Sequence, residues 1–204
     1  MYEAPFKALF LSTYHEAFIH FAMIQIGQLL IAEPHLAIDR DFGKSVILIA
    51  EVNTQGVVGF IINKPLSIRL NDVVSQTKNN LQVFNGGPVE FEHLYFIHQI
   101  PEKIEGGIRL TNELYWGGSF EQATDLLKQG ELDSKHIRFF MGYSGWTYKQ
   151  LLDEIAEQSW IVVADFNLND LLKSTPNDLW KTLLAKQGEI YQEWINTPDD
   201  PRLN

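Results

Sequence analysis

Short apolar runs alternate along the chain with polar links that contain Gly, Asn or Pro, a pattern typical of β-strands joined by turns. Strands are predicted at Gln28–Ala32, Ser45–Val52, Gly56–Asn63, Leu81–Phe84, Leu94–Gln99, Ile137–Met141 and Trp160–Ala164. The polar link Asn53-Thr54-Gln55 ahead of Gly56 indicates a hairpin between the second and third strands. Several runs are apolar throughout rather than alternating, so we expect both faces of the sheet to be covered.

Three segments carry the start and stop signals of helices. They run from Ser119 to Gly130, from Thr147 to about Gln158, and from Thr175-Pro176 to Gly188. The first two begin with a capping box, in which Ser or Thr precedes Gln by three residues, and Pro176 suits the first turn of the third. Because hairpins and helices are mixed irregularly, the order of elements favours an α+β sheet or small barrel over a doubly wound sheet.

The first 22 residues predict an amphipathic helix over residues 5–22. Its aromatic residues recur every three or four positions and so share one face: Phe6, Phe10, Tyr14, Phe18 and Phe21. We expect this extension to dock on its own domain, which would span residues 23–204. A helix that binds a partner or a membrane surface is the alternative, and a natural start at Met23 would leave the segment outside the domain.

Composition narrows the class of protein. A chain of 204 residues can bury one sizeable core. It contains no cysteine, which excludes disulfides, thiolate nucleophiles and Cys-based metal sites and suits a cytoplasmic location. His15, Glu16 and His20 interrupt the first apolar stretch, and no run approaches 18 apolar residues, so we expect neither a signal peptide nor a membrane span.

The charge balance bears on the kind of partner. Asp and Glu number 26 against 16 Lys and Arg, a net charge of -10. Such a surface repels the phosphate backbone of DNA unless a basic patch overrides it. We therefore expect other proteins, rather than DNA, as partners, and the oligomeric state stays open.

Catalytic and metal-binding patterns are weak. The segment Gly142-Tyr143-Ser144-Gly145-Trp146 resembles a nucleophile elbow, but Trp146 stands where G-x-S-x-G requires Gly. We expect it to be a strand-to-helix turn with Trp146 filling the core. His93 and His98 are five residues apart, which places them on opposite faces of a strand. The sequence therefore predicts no catalytic residues, no metal ligands and no cofactor, and it favours a non-enzymatic, cytoplasmic binding or regulatory protein that acts through protein contacts.

The alternative function is a small-ligand or enzymatic site where three Gly- or Pro-containing turns meet, because sites collect at strand ends. Its candidate residues are Asn63, Lys64, Asn85, Gly86, Gly87, Tyr143, Ser144 and Trp146. The Asn85–Pro88 turn could hold an anion on its backbone N–H groups, or it could simply be a tight turn. Lys64 could meet a phosphate or carboxylate, or it could be a solvated turn residue.

Taken in order, these segments resemble the YqgE/AlgH family of bacterial proteins. The matching pieces are Gly27–Pro34, Asp39–Val46, Gly59–Pro65, Gly86–Val89, Gly142–Leu151 and the tail Asp200–Asn204, which together span about seven-eighths of the chain. The resemblance implies a single α+β domain with a bifurcated, partly barrel-like mixed sheet flanked by helices. The family is often labelled a transcriptional regulator, and the resemblance supplies no catalytic or cofactor residues. Thr147 stands where the family commonly has Gly, and Ser144 where it commonly has Ala.

Overall fold

The computed structural model describes residues 24–75, 77–78, 80–166 and 175–196. The predicted N-terminal helix over residues 5–22 lies outside these ranges, as does the tail after residue 196. Of the helices described, none has the length and apolar character that crossing a bilayer requires.

Ten strands within the described ranges form one mixed sheet. They are β1 (Leu29–Ala32), β2 (Val46–Asn53), β3 (Gly56–Ile61), β4 (Pro65–Arg69), β5 (Gln82–Asn85), β6 (Val89–His98), β7 (Ile108–Arg109), β8 (Tyr115–Trp116), β9 (Ile137–Trp146) and β10 (Trp160–Val163). Along the main path the order is β10-β1-β2-β3-β9-β6-β8-β7, and β4 is attached through β5. The predicted hairpin between β2 and β3 is confirmed, with Asn53 opposite Gly56.

Strand β9 is where the sheet divides. Its first half pairs in parallel with β5, from Phe139 to Met141, and on its other edge with β6. Its second half pairs antiparallel with β3, from Ser144 to Trp146. One strand therefore belongs to two branches, and the predicted α+β fold with a bifurcated mixed sheet flanked by helices is confirmed.

Five α-helices lie among the described residues. They are α1 (Leu70–Val73), α2 (Phe120–Gln129), α3 (Tyr148–Ala156), α4 (Pro176–Ala185) and α5 (Gln192–Asn196), and two 3₁₀ turns cover Pro34–Ile38 and Glu189–Tyr191. Ser119 and Thr147 cap α2 and α3 by accepting from the backbone N–H three residues on. Thr175 precedes α4, but its hydroxyl donates to Asp178 instead of capping a backbone N–H.

Both faces of the β1–β2–β3 branch are covered, as the continuous apolar runs predict. Leu48 of β2 belongs to one buried cluster with Leu183 of α4, whereas its neighbour Ile47 belongs to another with Leu151 of α3. A third cluster packs α2 on the other branch through Leu127 and Phe139. Alternate residues of one strand therefore serve two cores.

The segment Gly142–Trp146 corrects a sequence expectation. It is not a strand-to-helix turn but the second half of β9, and α3 follows only after Thr147. Gly142 has a φ of 67°, and this kink lets one strand continue from the β5–β6 branch into the β3 branch. Tyr143, Ser144 and Trp146 therefore project from a strand rather than from a loop.

Candidate functional site

Asn63 lies just after β3 and is almost fully buried. Its Oδ1 accepts from the backbone N–H of Val46 at 2.8 Å, and its Nδ2 donates to the carbonyl of Lys44 at 2.9 Å. The amide of Asn63 therefore takes the place of a paired backbone at the start of β2 and just before it. This double contact gives Asn63 a bracing role that needs no ligand.

Lys64 ties the same region to the preceding loop. Its Nζ donates to the carbonyl of Asp41 at 2.7 Å. Asp39 caps that loop by accepting from the N–H groups of Asp41 and Phe42 at 2.9 and 2.7 Å. Burial lowers the pKa of Lys64, while the nearby charges of Asp39 and Asp41 act in the opposite direction. Two separate sequence motifs thus form one structural unit.

The Gly-Gly-Pro segment packs directly against β9. The N–H of Gly86 donates to Met141 at 2.8 Å, and its carbonyl accepts from Ile61 and from the Ser144 hydroxyl at 2.9 and 3.1 Å. A Cβ atom at Gly86 would lie 2.2 Å from the carbonyl oxygen of Gly142. Glycine is required here because two backbones touch.

Asn85 completes the meeting of the three segments. Its N–H donates to the carbonyl of Lys64 at 2.8 Å, and its Oδ1 accepts from the N–H of Gly87 at 2.9 Å. The structure therefore brings together Asn63-Lys64, Asn85-Gly86-Gly87 and the second half of β9. Their polar atoms bond largely to one another.

Ser144 and Trp146 both point into the protein. Ser144 is fully buried, and its hydroxyl donates to the carbonyl of Gly86. Trp146 is 5% exposed, and its indole N–H donates to Glu154 of α3 at 2.9 Å. Trp146 plugs the core as expected, and these contacts give both side chains structural partners.

Tyr143 differs because it reaches the surface, where it meets two residues that the sequence did not single out. Its ring lies edge-on to that of Tyr95, with centroids 5.8 Å apart. The Tyr95 hydroxyl donates to Oε2 of Glu90 at 2.6 Å. His93 lies 3.5 Å from the same carboxylate oxygen. We call Glu90, Tyr95 and Tyr143 the phenol–carboxylate cluster.

The electrostatics of this cluster keep both phenols protonated near neutral pH. Burial first, and then the hydrogen bond and charge of Glu90, raise the pKa of Tyr95 well above its ordinary range. Burial, followed by the charge of Glu90, also raises the pKa of Tyr143. The phenol of Tyr95 therefore keeps its proton and holds the Glu90 carboxylate in place by donating to it.

A long, irregular bulge in β6 creates this arrangement. Val89 pairs with Tyr143 and Leu94 with Met141, so four residues of β6 stand opposite the single Gly142 of β9. Glu90 adopts a φ of 48°, a left-handed conformation that non-glycine residues seldom take. Backbone strain of this kind concentrates at functional sites, and this makes the β6 bulge a candidate functional site.

The bulge also exposes an aromatic ring between acidic residues. Phe91 is 44% exposed, and Glu92 lies on the surface close enough for its charge to raise the pKa of Tyr95. Together with the phenol–carboxylate cluster, Phe91 and Glu92 form what we call the acidic aromatic surface. The sequence feature that could have indicated this surface is Glu-Phe-Glu-His at 90–93. Three of these four residues are polar or charged, unlike the apolar residues that follow them in the same strand.

Over the described parts of the chain, no three His, Asp or Glu side chains converge closely enough to hold a metal ion. His93 is exposed in the β6 bulge, whereas His98, five residues on, is fully buried.

A family model described as AlgH-like matches residues 29–192. The chain belongs to the AlgH-like family. It is 38% identical over 184 residues to a UPF0301 protein of Cytophaga hutchinsonii, covering 89% of this chain and 100% of that protein. A UPF0301 protein of Bacteroides thetaiotaomicron is 37% identical over 180 residues, 87% of this chain and 90% of that protein.

Two solved structures share the AlgH-like fold. A crystal structure of a Corynebacterium diphtheriae protein superposes with a TM-score of 0.69 at 21% identity, over 87% of this chain and 97% of the other. The solution structure of the AlgH protein from Pseudomonas aeruginosa gives a TM-score of 0.65 at 24% identity, over 84% and 93% of the two chains. The resemblance to this family in the sequence motifs is thereby confirmed, and none of these names states an activity.

Proposed function

We propose that this AlgH-like protein is a non-enzymatic binding protein that contacts another protein through the acidic aromatic surface. The observation that carries the proposal is the phenol–carboxylate cluster. Glu90 and the exposed Phe91 lie on the strained bulge, and the phenol rings of Tyr95 and Tyr143 lie next to it, with Tyr95 holding the Glu90 carboxylate.

The chemistry of this surface favours a partner that presents a Lys or Arg side chain. Aromatic faces attract cations, and Tyr combines a large contact area with a polar end. Glu90 and Glu92 add negative charge at the same place, in a protein whose net charge is -10. A basic segment of a partner protein would therefore find both charge and ring faces here.

A ligand site among the three Gly- or Pro-containing turns is less well supported than this surface, because the polar side chains of the turns already have partners within the protein. The side chains of Asn63 and Asn85 accept from backbone N–H groups, Ser144 donates to a backbone carbonyl, and Lys64 donates to the carbonyl of Asp41. A small ligand would have to displace these contacts. Tyr143, by contrast, is half-buried and reaches the surface, close enough to Glu90 for that charge to raise its pKa.

Comparative affinity capture tests the proposal. The full chain and the variants Glu90→Gln and Tyr143→Leu are used to capture proteins from the native cell, with Glu121→Gln as a matched control on the exposed face of α2. We expect a protein that is recovered by the wild type and the control, that is depleted several-fold by both variants, and that elutes with salt.

Equal capture by all four proteins would contradict the proposal. The same conclusion would follow if the depleted protein resisted salt, because a contact through Lys or Arg on a surface carboxylate is screened by ions. Circular dichroism of each variant shows that the fold is retained.

A further inference from the structure

A cleft lies between the start of β1 and the tip of the β7–β8 hairpin. Gly27 has a φ of 85°, and a Cβ atom there would lie 2.2 Å from the carbonyl oxygen of Leu110. The tip is closed by hydrogen bonds from the N–H groups of Leu110 and Thr111 to the carbonyl of Leu114, at 2.8 and 3.1 Å. Gly27, the first residue of the opening family motif, thus sets the close contact that forms one end of the cleft.

The cleft has a volume of about 490 Å³, within the range of small-molecule sites. Its lining consists of Gln25, Ile26, Gly27, Gln28, Arg109, Leu110, Thr111, Asn112 and Ala164. Arg109 is the one charged residue among these nine, and none of them is acidic. The lining thus carries one positive and no negative side chain, in a chain with 26 acidic and 16 basic residues.

Arg109 is held in position within this lining. Its Nε donates to the carbonyl of Thr111 at 3.0 Å, and one terminal nitrogen donates to Oδ1 of Asn112 at 2.5 Å. Because the guanidinium is already oriented, binding an anion would cost less side-chain entropy. The oxygen of the Asn112 amide faces Arg109, so its NH₂ group can supply a further donor.

Part of the remaining lining is apolar. Ile26 is 37% exposed, and Leu110 and Ala164 contribute further aliphatic surface. A site with one oriented cation, amide donors and aliphatic surface suits a ligand with an anionic group and a short carbon skeleton.

We propose that this cleft binds a small organic anion, whose carboxylate or phosphate group is bound by Arg109 and whose carbon skeleton contacts Ile26. The site lies on elements other than the β6 bulge and does not depend on the protein-binding proposal. A planar guanidinium pairs with carboxylate and with phosphate through the same parallel hydrogen bonds, so the test includes both.

Titrations of the full chain, followed by the amide resonances of Gly27 and Thr111 in NMR spectra, test this inference. The probes are succinate, phenyl phosphate and succinamide, which is close to succinate in shape but uncharged. We expect saturable shifts with at least one of the two anions and none with succinamide. In Arg109→Gln the dissociation constant for that anion should rise about ten-fold or more, since a charge-assisted pair is lost.

Two further variants keep the result interpretable. Arg109→Lys retains the charge without the planar fork, and it should weaken binding less than Arg109→Gln. Arg40→Gln removes an exposed arginine outside the cleft and should leave the affinity unchanged. Equal shifts with succinamide, unchanged affinity in Arg109→Gln, or no saturable shift with either anion would overturn the inference.

Discussion

Trp146 and Trp160 share one hydrogen-bond acceptor. Both indole N–H groups donate to Oε2 of Glu154, at 2.9 and 2.6 Å, and the two rings stand nearly perpendicular with centroids 6.0 Å apart. Gln150 donates to the other oxygen of the same carboxylate at 2.9 Å. One residue of α3 thereby joins the end of β9 to the start of β10, and Phe42 packs on both indoles.

This arrangement predicts that Glu154→Ala destabilises the protein by about 2–3 kcal/mol, because two largely buried indole donors lose their acceptor. The free energy of unfolding is measured in urea, with tryptophan fluorescence as the signal. Glu157→Gln, an exposed position just after α3, is the matched control and should change stability by less than about 0.5 kcal/mol. If the two variants were equally stable, Glu154 would not hold the indoles.

The contact between Gly86 and Gly142 makes a second prediction. Gly86→Ala should cost about 3 kcal/mol, because its methyl group meets a backbone carbonyl that belongs to β9. Gly117→Ala separates this effect from strain, since Gly117 has a φ of 68° but nothing within 4 Å of its added Cβ. It should cost only about 1 kcal/mol. Urea denaturation of both variants checks the order, and a larger cost at Gly117 would contradict it.

The buried imidazole of His98 makes the stability depend on pH. Its Nδ1 accepts from the N–H of Ile100 at 3.3 Å, and its Nε2 lies 3.1 Å from the carbonyl of Gly117, so the neutral Nε2–H form satisfies both contacts. Burial lowers the pKa of His98. The unfolded chain, with an ordinary histidine pKa of about 6.5, therefore takes up a proton before the folded protein does.

Stability should consequently be unaffected by this group above pH ~6.5 and should fall as the pH drops toward the lower pKa of folded His98. Unfolding free energies at a series of pH values check the direction. The variant His98→Gln should show a shallower decline over the same pH interval, although its overall stability will be lower. A parallel decline in both proteins would contradict the assignment to His98.

Asn63 is predicted to hold the loop of residues 39–45 against β2. In Asn63→Ala the N–H of Val46 loses its acceptor and the carbonyl of Lys44 its donor. We expect a loss of about 1–3 kcal/mol and faster hydrogen exchange at Val46 and in the loop. Asn53→Ala is the control, since Asn53 is exposed at the end of β2 and its amide bonds to Glu51 and Gln55, away from Val46; it should leave exchange at Val46 unchanged. Unchanged exchange at Val46 would show that the amide does not brace the loop.

The sequence predicts the longer strands and the capped helices well, because apolar runs and helix caps are local signals. The seven predicted strands, the capped starts of α2 and α3 and the hairpin at Thr54-Gln55 are all present. Strands β4, β7 and β8 escape prediction for physical reasons. The last two have two residues each, and Pro65–Arg69 alternates half-buried with exposed positions and depends on pairing with β5.

The site is less predictable because it depends on one bulge and one kink. A sequence pattern shows that Tyr143 follows Gly142, but it does not show that Gly142 lets β9 pass from one branch to the other. Nor does it show that Glu90 takes a left-handed conformation that brings its carboxylate to Tyr95. These juxtapositions arise from pairing between distant strands, which local patterns do not encode.

The function proposed for the acidic aromatic surface is contact with a basic segment of another protein. A photo-crosslinking amino acid in place of Phe91, introduced into the full chain in its native cell, tests it most directly. Ile190, which is 78% exposed on a different element, takes the same crosslinker as the control.

We expect a specific adduct from position 91 that is absent from position 190, that maps to a Lys- or Arg-containing segment of the partner, and that is lost when Glu90→Gln is added. An identical adduct pattern from both positions, or an adduct that survives Glu90→Gln unchanged, would contradict the account.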